Sequence, residues 1–290
     1  MKNTLHKEQT GSPAQPYVLV YLTGALGDLV LSTPALALLR SVFAGTHVHG
    51  IVPASLATLY PQLFDSVTLV DSAAVTGLFG AHARDALKAH PVWREARKVV
   101  VLEPPTSVLA SALQATGKIE VMCIDARPSQ CHEEHYARWL WRHTAEMLEA
   151  VPEFTVPIPH TTPPAELPQS TFGMIHPGSG SVSKNCPAAR LAAACGEYKA
   201  AELMVFEGEN DGEAVASFVR SCSVPPRVMQ HVPLPELAWY LKYASFYIGN
   251  DSGISHLAGA VGARGIAFFG RSDPQVWRPL GSGIEIRRFI

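Results

Sequence analysis

The residues best suited to chemistry lie in three polar segments of the C-terminal half, each directly after a short apolar stretch. In chain order, these segments contain the candidates Ser179, Gly180, Ser181 and Lys184, then Glu209, then Asp251, Ser252, Gly253 and His256. Hydroxyl groups, backbone N–H groups and one flexible cation suit a diphosphate, and a loop carboxylate can accept both hydroxyls of a ribose. Each segment alone resembles an ordinary polar loop, but their recurrence favours one shared site.

The third segment carries the most specific pattern. Residues 246–248 predict a short strand, which breaks at Gly249 and is followed by a helix with small residues that can pack close to a sheet. The first N–H groups of a helix have no intrahelical acceptor and attract anions. Asp251 can cap this helix or bind a ligand hydroxyl.

In the N-terminal half, Asp28 occupies a comparable place. The predicted strand 17–22 leads into Gly24-Ala-Leu-Gly27, and Asp28 stands where the N-cap of a helix over 29–43 belongs. Pro34 inside that helix predicts a kink or a restart at Thr33. Asp28 is therefore expected to be a helix cap, a general base facing a cleft, or both.

The elements that position these residues alternate between strand and helix along the whole chain. Eleven apolar stretches predict strands, and such alternation is typical of parallel sheets. Residues 151–169 contain six prolines and predict a linker. The sequence thus predicts an α/β protein with two Rossmann-like domains, 17–150 and 170–290, and a cleft at the carboxyl ends of their strands. Residues 1–16 are expected to form a disordered tail.

Composition excludes several classes of protein. Hydrophobic residues make up 47% and charged residues 17%, which suits a globular protein with a sizeable core. A net charge of -2 gives no indication of a nucleic-acid binder. No apolar run reaches the roughly 18 residues of a membrane helix, so no membrane span is predicted. Five cysteines without a CxxC pair indicate a cytosolic protein with reduced thiols.

The sequence does not match three common motifs for dinucleotide, phosphate and zinc binding. The turn 24–27 lacks the third glycine of a dinucleotide fingerprint, and residues 50–53 supply no acidic partner for a ribose. Lys184 is followed by Asn185 rather than by the serine or threonine of a P-loop. His132 and His135 are three residues apart, whereas the zinc-protease motif needs four. No metal site and no cofactor are predicted.

Four segments together resemble glycosyltransferase family 9, the ADP-heptose:lipopolysaccharide heptosyltransferases and their relatives. They are 24–36 (GALGDLVLSTPAL), 176–180 (HPGSG, with Lys184 and Pro187 after it), 249–258 (GNDSGISHLA) and 269–274 (FGRSDP). They follow the family's order and spacing over nearly the whole chain from Tyr17. Each segment alone is weak, whereas the four together are specific.

The resemblance implies a GT-B fold with the nucleotide-sugar donor on the C-terminal domain and an inverting, metal-independent transfer. By position, Asp28 matches the catalytic carboxylate, and Glu209 matches the ribose-binding glutamate. Lys184 and Ser179 match the phosphate-binding residues, while the segment from Asp251 to His256 matches the donor-sugar turn. The implied partners are a donor such as ADP-heptose and a lipid-linked acceptor, the lipopolysaccharide core or a similar glycan. The enzyme would be cytoplasmic and peripheral at the inner membrane.

The sequence also departs from the family. Gly180 stands where some members have a second hydroxyl residue, and Cys186 stands where a tryptophan usually precedes the proline. Most members continue past the position of Ile290 with a final helix, so the C-terminal helix is expected to be missing from this chain. Two alternatives stay open: a non-catalytic nucleotide-sugar binding module, with affinity but no turnover, and a GT-B sugar-nucleotide epimerase, which turns over the donor without an acceptor.

Overall fold

The computed structural model describes residues 17–79, 87, 90–94, 96–126, 134–151 and 153–290. The tail predicted over residues 1–16 lies outside the described residues, as does His132. Within the described residues, strands and helices alternate and form two parallel sheets. The predicted fold class is therefore confirmed.

In the described part of the N-terminal half, five parallel strands form one sheet in the order β3-β2-β1-β4-β5. Its strands are β1 Tyr17–Tyr21, β2 His47–Val52, β3 Ser66–Leu69, β4 Ala96–Val101 and β5 Glu120–Cys123. The described helices of this half are α1 Leu26–Val42, α2 Ala54–Leu59, α3 Ala73–Thr76, α4 Pro91–Arg94, α5 Val108–Gln114 and α6 Tyr136–Met147. All five residues of β1 are buried, because helices cover both faces of a parallel sheet.

The C-terminal sheet has six parallel strands in the order β11-β10-β9-β6-β7-β8. Its strands are β6 Phe172–His176, β7 Glu202–Glu207, β8 Arg227–Gln230, β9 Phe246–Asn250, β10 Gly265–Phe269 and β11 Ile284–Arg288. Its helices are α7 Ala188–Cys195, α8 Gly212–Ser221, α9 Leu234–Tyr243, α10 Gly253–Ala260 and α11 Pro274–Trp277. Like the first sheet, it has central strands made of continuous apolar runs.

Each sheet has one point where the strand order reverses. In the N-terminal sheet this point lies between β1 and β4, and in the C-terminal sheet it lies between β9 and β6. Ligands of open α/β sheets bind in the crevice outside the carboxyl ends of such strands. The segments that follow β1, β6 and β9 carry Asp28, Lys184 and Asp251, respectively. The fold therefore places three of the candidates at the reversal points.

Helix α1 runs unbroken through Pro34, so the restart predicted at Thr33 is wrong. A proline lacks the N–H that would bond the carbonyl four residues earlier. Here that carbonyl belongs to Val30, and the buried hydroxyl of Thr33 donates to it at 2.8 Å. The helix tolerates Pro34 because a side chain satisfies the carbonyl that the ring leaves free.

The two sheets share one continuous apolar cluster. It includes Val20 and Leu36 from the N-terminal half and Met174 and Leu257 from the C-terminal half. The segment predicted as a linker has no helix or strand among its described residues, 151 and 153–169.

Backbone hydrogen bonds hold this segment against both halves of the protein. The N–H of His160 donates to Leu59 O at 2.6 Å, and that of Thr162 donates to Pro235 O at 2.9 Å. The connection between the sheets is therefore extended but fixed at both sides. Among the described residues, none of the helices has the length and apolarity to cross a bilayer.

Candidate active site

The candidate site centres on an ion pair across the reversal point of the C-terminal sheet. Lys184 follows β6, Asp251 follows β9, and the Nζ to Oδ2 distance is 2.8 Å. The Asp251 carboxylate is 5% exposed and the Lys184 side chain is 43% exposed. A buried carboxylate with a half-exposed ammonium beside it offers one group for ligand hydroxyls and one for ligand phosphate oxygens.

The N-terminus of α10 opens directly after this pair. Ser252 is its N-cap, and its Oγ accepts the Ser255 N–H at 3.4 Å. The backbone N–H groups of Gly253 and Ile254, which precede Ser255 in the first turn, have no intrahelical acceptor. Together with the Lys184 ammonium group, they form a surface of positive potential that suits a phosphate.

A buried histidine joins the three loops that carry the candidates. His176, the last residue of β6, lies 3.1 Å through Nδ1 from Ser252 Oγ and 3.0 Å through Nε2 from Asp211 Oδ2. Asp211 is in the loop after β7, and all three side chains are buried. The pKa of Asp211 is lowered, chiefly because its carboxylate takes part in the hydrogen bond with His176.

The Asp211 carboxylate, when ionised, can only accept a hydrogen bond, so the Nε2–H of His176 donates to it. On the other side of the ring, Ser252 Oγ faces Nδ1 and also accepts the backbone N–H of Ser255. Serine, histidine and aspartate in a row suggest a hydrolase triad, but here the serine is buried and caps a helix. The network positions the turn at Asp251 and supplies no nucleophile.

Asp211 occupies the N-cap position of α8, but its side chain does not cap the helix. It makes no capping bond and instead accepts the Gly208 N–H at 3.0 Å. Two glycines make this arrangement possible: a Cβ at Gly178 would overlap the Asp211 carboxylate, and one at Gly208 would lie 2.6 Å from its Oδ2. The Gly178 backbone therefore comes closer to the carboxylate than any other residue type would allow.

Asn250 fastens the loop after β6 to the end of β9. Its Nδ2 donates to Pro177 O at 2.7 Å, and its Oδ1 accepts the Cys186 N–H at 3.0 Å. Asn250 is fully buried. One side chain thus closes both ends of the loop that carries Lys184.

The other predicted donor residues are placed less tightly. Ser179 Oγ lies 2.7 Å from both Ser181 O and Asn185 Oδ1, so its hydroxyl is directed inside its own loop. Gly180 is exposed, with nothing within 4 Å of a would-be Cβ. Glu209 is exposed in the turn after β7, and the described residues offer it no hydrogen bond. The structure brings Lys184, Asp251 and Ser252 together, whereas Glu209 stands apart from them.

His256 lies where the two halves meet. Its ring is 5% exposed, and a Cβ at Gly27 would be 2.8 Å from its Cδ2. Burial lowers the pKa of His256, while the nearby Asp251 carboxylate raises it in part. Its Nδ1 is buried without a hydrogen-bond partner in the described part of the chain. This side chain is neutral near neutral pH and closes the site toward α1.

Asp28 is not the N-cap, which corrects the sequence prediction. The cap is Ala25, without any side-chain bond, and Asp28 is exposed in the first turn of α1. Gly24, at φ 152°, turns the chain so that its own Cα faces the Asp28 side chain. Because the α1 start also contacts Gly253, two helix N-termini converge beside the Lys184–Asp251 pair.

Sequence reasoning missed three residues of this site: His176, Asp211 and Asn250. Two of them stood within recognised motifs, but the sequence did not show which partners they reach. Among the described residues, no group of three or more His, Cys, Asp or Glu side chains is placed to hold a metal ion.

Comparisons with known proteins agree with this geometry. Residues 145–288 match the family model of glycosyltransferase family 9 (heptosyltransferase). The chain is 31% identical over 87 residues to lipopolysaccharide heptosyltransferase 3 of Escherichia coli. That alignment covers 29% of this chain and 26% of the relative, so the match spans about a quarter of the relative's length.

Solved structures share the fold over most of the chain. A family 9 glycosyltransferase from Veillonella parvula superposes with a TM-score of 0.74 at 19% identity, covering 94% of this chain and 86% of that one. The E. coli ADP-heptose lipopolysaccharide heptosyltransferase II gives 0.71 at 15% identity, covering 94% and 91%. The C-terminal half of the chain, residues 145–288, therefore belongs to glycosyltransferase family 9, and the fold over most of the chain is the one that these solved structures share.

Proposed function

We propose that this protein transfers a heptose or related sugar from a nucleotide-diphosphate donor, ADP-heptose in the first instance, to a glycan acceptor. The observation that carries the proposal is the Lys184–Asp251 pair, 2.8 Å apart at the start of α10 and opposite the turn that holds Asp28. The heptose and the adenine nucleotide are supported by the relatives, two of which are heptosyltransferases by name.

The donor would lie along the edge of the C-terminal sheet. Adjacent strands β7, β6 and β9 present Glu209, Lys184 and Asp251 in that order. A nucleoside diphosphate sugar has the same linear order of ribose, diphosphate and sugar. We therefore assign the ribose hydroxyls to Glu209, the diphosphate to Lys184, Ser179 and the α10 start, and the sugar to Asp251 and His256.

Asp28 then serves as the general base. It removes the proton from an acceptor hydroxyl, whose oxygen attacks the anomeric carbon from the face opposite the leaving diphosphate. The bond to the diphosphate oxygen breaks, and its electron pair leaves with the nucleotide, so the anomeric configuration is inverted. Lys184 and the converging helix N-termini stabilise the negative charge that develops on the leaving group. No step needs a metal ion.

The acceptor we propose is a lipid-linked glycan such as the lipopolysaccharide core, which this enzyme would meet as a cytoplasmic protein at the membrane surface. Support comes from the relative named for lipopolysaccharide heptose transfer. Transfer from ADP-heptose to core acceptors isolated with and without heptose, followed by mass spectrometry, identifies it.

Donor binding is tested with Lys184→Ala. Loss of a charge-assisted contact is expected to weaken ADP binding by about 1–3 kcal/mol. Lys242→Ala is the matched control, since Lys242 is exposed on α9, and its ADP affinity should equal that of wild type. Isothermal titration calorimetry with ADP, UDP and GDP measures both effects. Equal ADP affinity in the two variants would refute the assignment of Lys184, and tightest binding of UDP would refute the adenine donor.

A further inference from the structure

A cavity opens beside the candidate active site and has no part in the proposed donor arrangement. It lies between the start of α6, the segment around Phe154 and the chain that follows α11, with a volume of about 480 Å³. Its lining is His135, Arg138, Phe154, Val156, Gln275, Arg278, Pro279, Leu280 and Gly281. None of these lining residues carries a carboxylate.

The two arginines in this lining lack acidic partners. Within the described ranges, neither Arg138 nor Arg278 forms an ion pair, whereas Arg142, one turn along α6, pairs with Glu134 at 2.8 Å and Glu146 at 2.9 Å. Both cavity arginines are exposed. Two arginines without ion pairs in the lining of one cavity favour an anion with several oxygens, since a guanidinium binds phosphate and carboxylate in a fork.

The rest of the lining suits a sugar. The Arg138 guanidinium lies over the Phe154 ring, 4.5 Å from its centroid, and Val156, Pro279 and Leu280 add apolar surface. Apolar walls with a few polar groups are typical of small-molecule sites. A C–H face of a sugar ring fits such walls, and a bare inorganic ion does not use them.

The position of the cavity indicates which substrate would reach it. The nucleotide loops follow β6 and β7, on one side of β9, while the cavity segment follows β10, on the other side. His135 lines the cavity and acts electrostatically on His256. The cavity therefore lies past the sugar end of the donor, away from the nucleotide.

Contacts from both halves of the protein also surround the cavity. His135 Nε2 lies 2.9 Å from Arg278 O, and the rings of Tyr136 and Trp277 stack with centroids 5.0 Å apart. The Leu280 carbonyl packs against Gly259 of α10. An anion between Arg138 and Arg278 would contact one helix of the N-terminal half and one segment of the C-terminal half.

We propose that this cavity binds a phosphate or carboxylate group carried by the sugar acceptor. The assignment to the acceptor rests on the proposed function, while the anion site itself does not. The chemistry is a monosaccharide-sized unit with one anionic substituent: the guanidinium groups bind the substituent, and the apolar walls contact the ring.

The test is calorimetric titration of the full chain, saturated with ADP, with glucose 6-phosphate, glucuronate, glucose and inorganic phosphate. Wild type should bind an anionic sugar more tightly than either glucose or inorganic phosphate. Arg138→Gln and Arg278→Gln should each raise its Kd by about tenfold or more, the scale of a charge-assisted bond. Arg142→Gln is the matched control and should leave the Kd unchanged.

Melting temperatures and ADP affinities of all variants show whether they are folded. Failure of wild type to bind either anionic sugar, or equal Kd values in the cavity variants and Arg142→Gln, overturns the proposal. Inorganic phosphate binding as tightly as the sugar phosphate overturns the sugar assignment. If ADP does not bind but the arginine-dependent sugar binding persists without it, the anion site stands and the proposed transferase function fails.

Discussion

Among single side chains, Asp28 combines exposure with a place in the first turn of α1. Ala25, and not Asp28, occupies the N-cap position of the helix. Asp28→Asn should therefore lower the free energy of unfolding only by removing a favourable negative charge from the helix start, about 0.3–1 kcal/mol. Removing a general base should lower the transfer rate by roughly 10²–10⁴. Thermal melts, ADP titration and an acceptor-dependent transfer assay measure these three quantities.

The expected pattern for Asp28→Asn is near-normal stability, normal ADP affinity and a loss of turnover. Donor affinity should be preserved because the proposed donor residues lie on the other sheet. Transfer at the wild-type rate would mean that another group takes the acceptor proton.

Asp211 predicts a specific dependence of stability on pH. Its pKa is lowered in the folded protein, mainly by the hydrogen bond with His176, below the ordinary value of about 3.9. The stabilisation is therefore fully present above that ordinary value and is lost as the pH falls through the folded pKa. At neutral pH, Asp211→Asn should cost about 1–3 kcal/mol, since it replaces a charge-assisted bond.

The measurement is the free energy of unfolding by urea for wild type and Asp211→Asn between about pH 6 and pH 2. The difference in free energy of unfolding between the two proteins should narrow as the pH falls, because Asp211 becomes protonated in wild type, whereas the variant has no carboxylate at this position. A difference that stays constant across this range would contradict a charge-assisted bond between Asp211 and His176.

At the scale of elements, a side chain within α1 replaces the backbone hydrogen bond that Pro34 cannot make. Thr33→Val removes the hydroxyl that donates to Val30 O at 2.8 Å and leaves a buried carbonyl without a donor, which should cost about 1–3 kcal/mol. In a Pro34→Ala background the new backbone N–H satisfies that carbonyl, so the same change should cost much less. A double-mutant cycle from urea unfolding measures the coupling; simple additivity of the two changes would show that the hydroxyl does not compensate for the proline.

The sequence was more informative about strands than about helix ends. Apolar runs such as Tyr17–Tyr21 predicted each strand closely, because a buried parallel strand must be apolar on both faces. Asp28 was wrongly placed at a cap because residue preference alone decided it, whereas Gly24 lets α1 begin at Leu26, ahead of it. The residue preferences of helix ends do not show that the turn at Gly24 lets the helix begin before Asp28.

The site was predictable only in part, for a related reason. Lys184 and Asp251 stood out because each follows a strand, and parallel strands bring their carboxyl ends to one edge. The bonds from His176 to Asp211 and Ser252 join residues 35 and 76 positions apart, and their geometry depends on the Gly178 backbone. Such contacts arise from three-dimensional packing, which residue types and spacing do not specify.

At the scale of the whole molecule, the two halves meet through glycines. Gly27→Ala would place a Cβ 2.8 Å from His256 Cδ2, closer than packed atoms allow, so α1 and α10 should separate slightly at a cost of about 1–3 kcal/mol. Gly180→Ala is the control, with nothing within 4 Å of the added carbon. Melting temperature and transfer rate should both fall for Gly27→Ala alone; if the two variants behave alike, the contact does not hold the halves together.

The aromatic rings stacked between the two halves also give the protein an intrinsic spectroscopic signal of how the halves are arranged. Trp277 lies on Tyr136, Tyr136 on Trp139 and Trp139 on His143, with interplanar angles of 24°, 25° and 19°. Near-ultraviolet circular dichroism arises from aromatic rings held in fixed, asymmetric packing. Because these rings join α6 of the N-terminal half to α11 of the C-terminal half, any movement of the halves during turnover alters the spectrum. Domain motion can therefore be followed without attaching a dye.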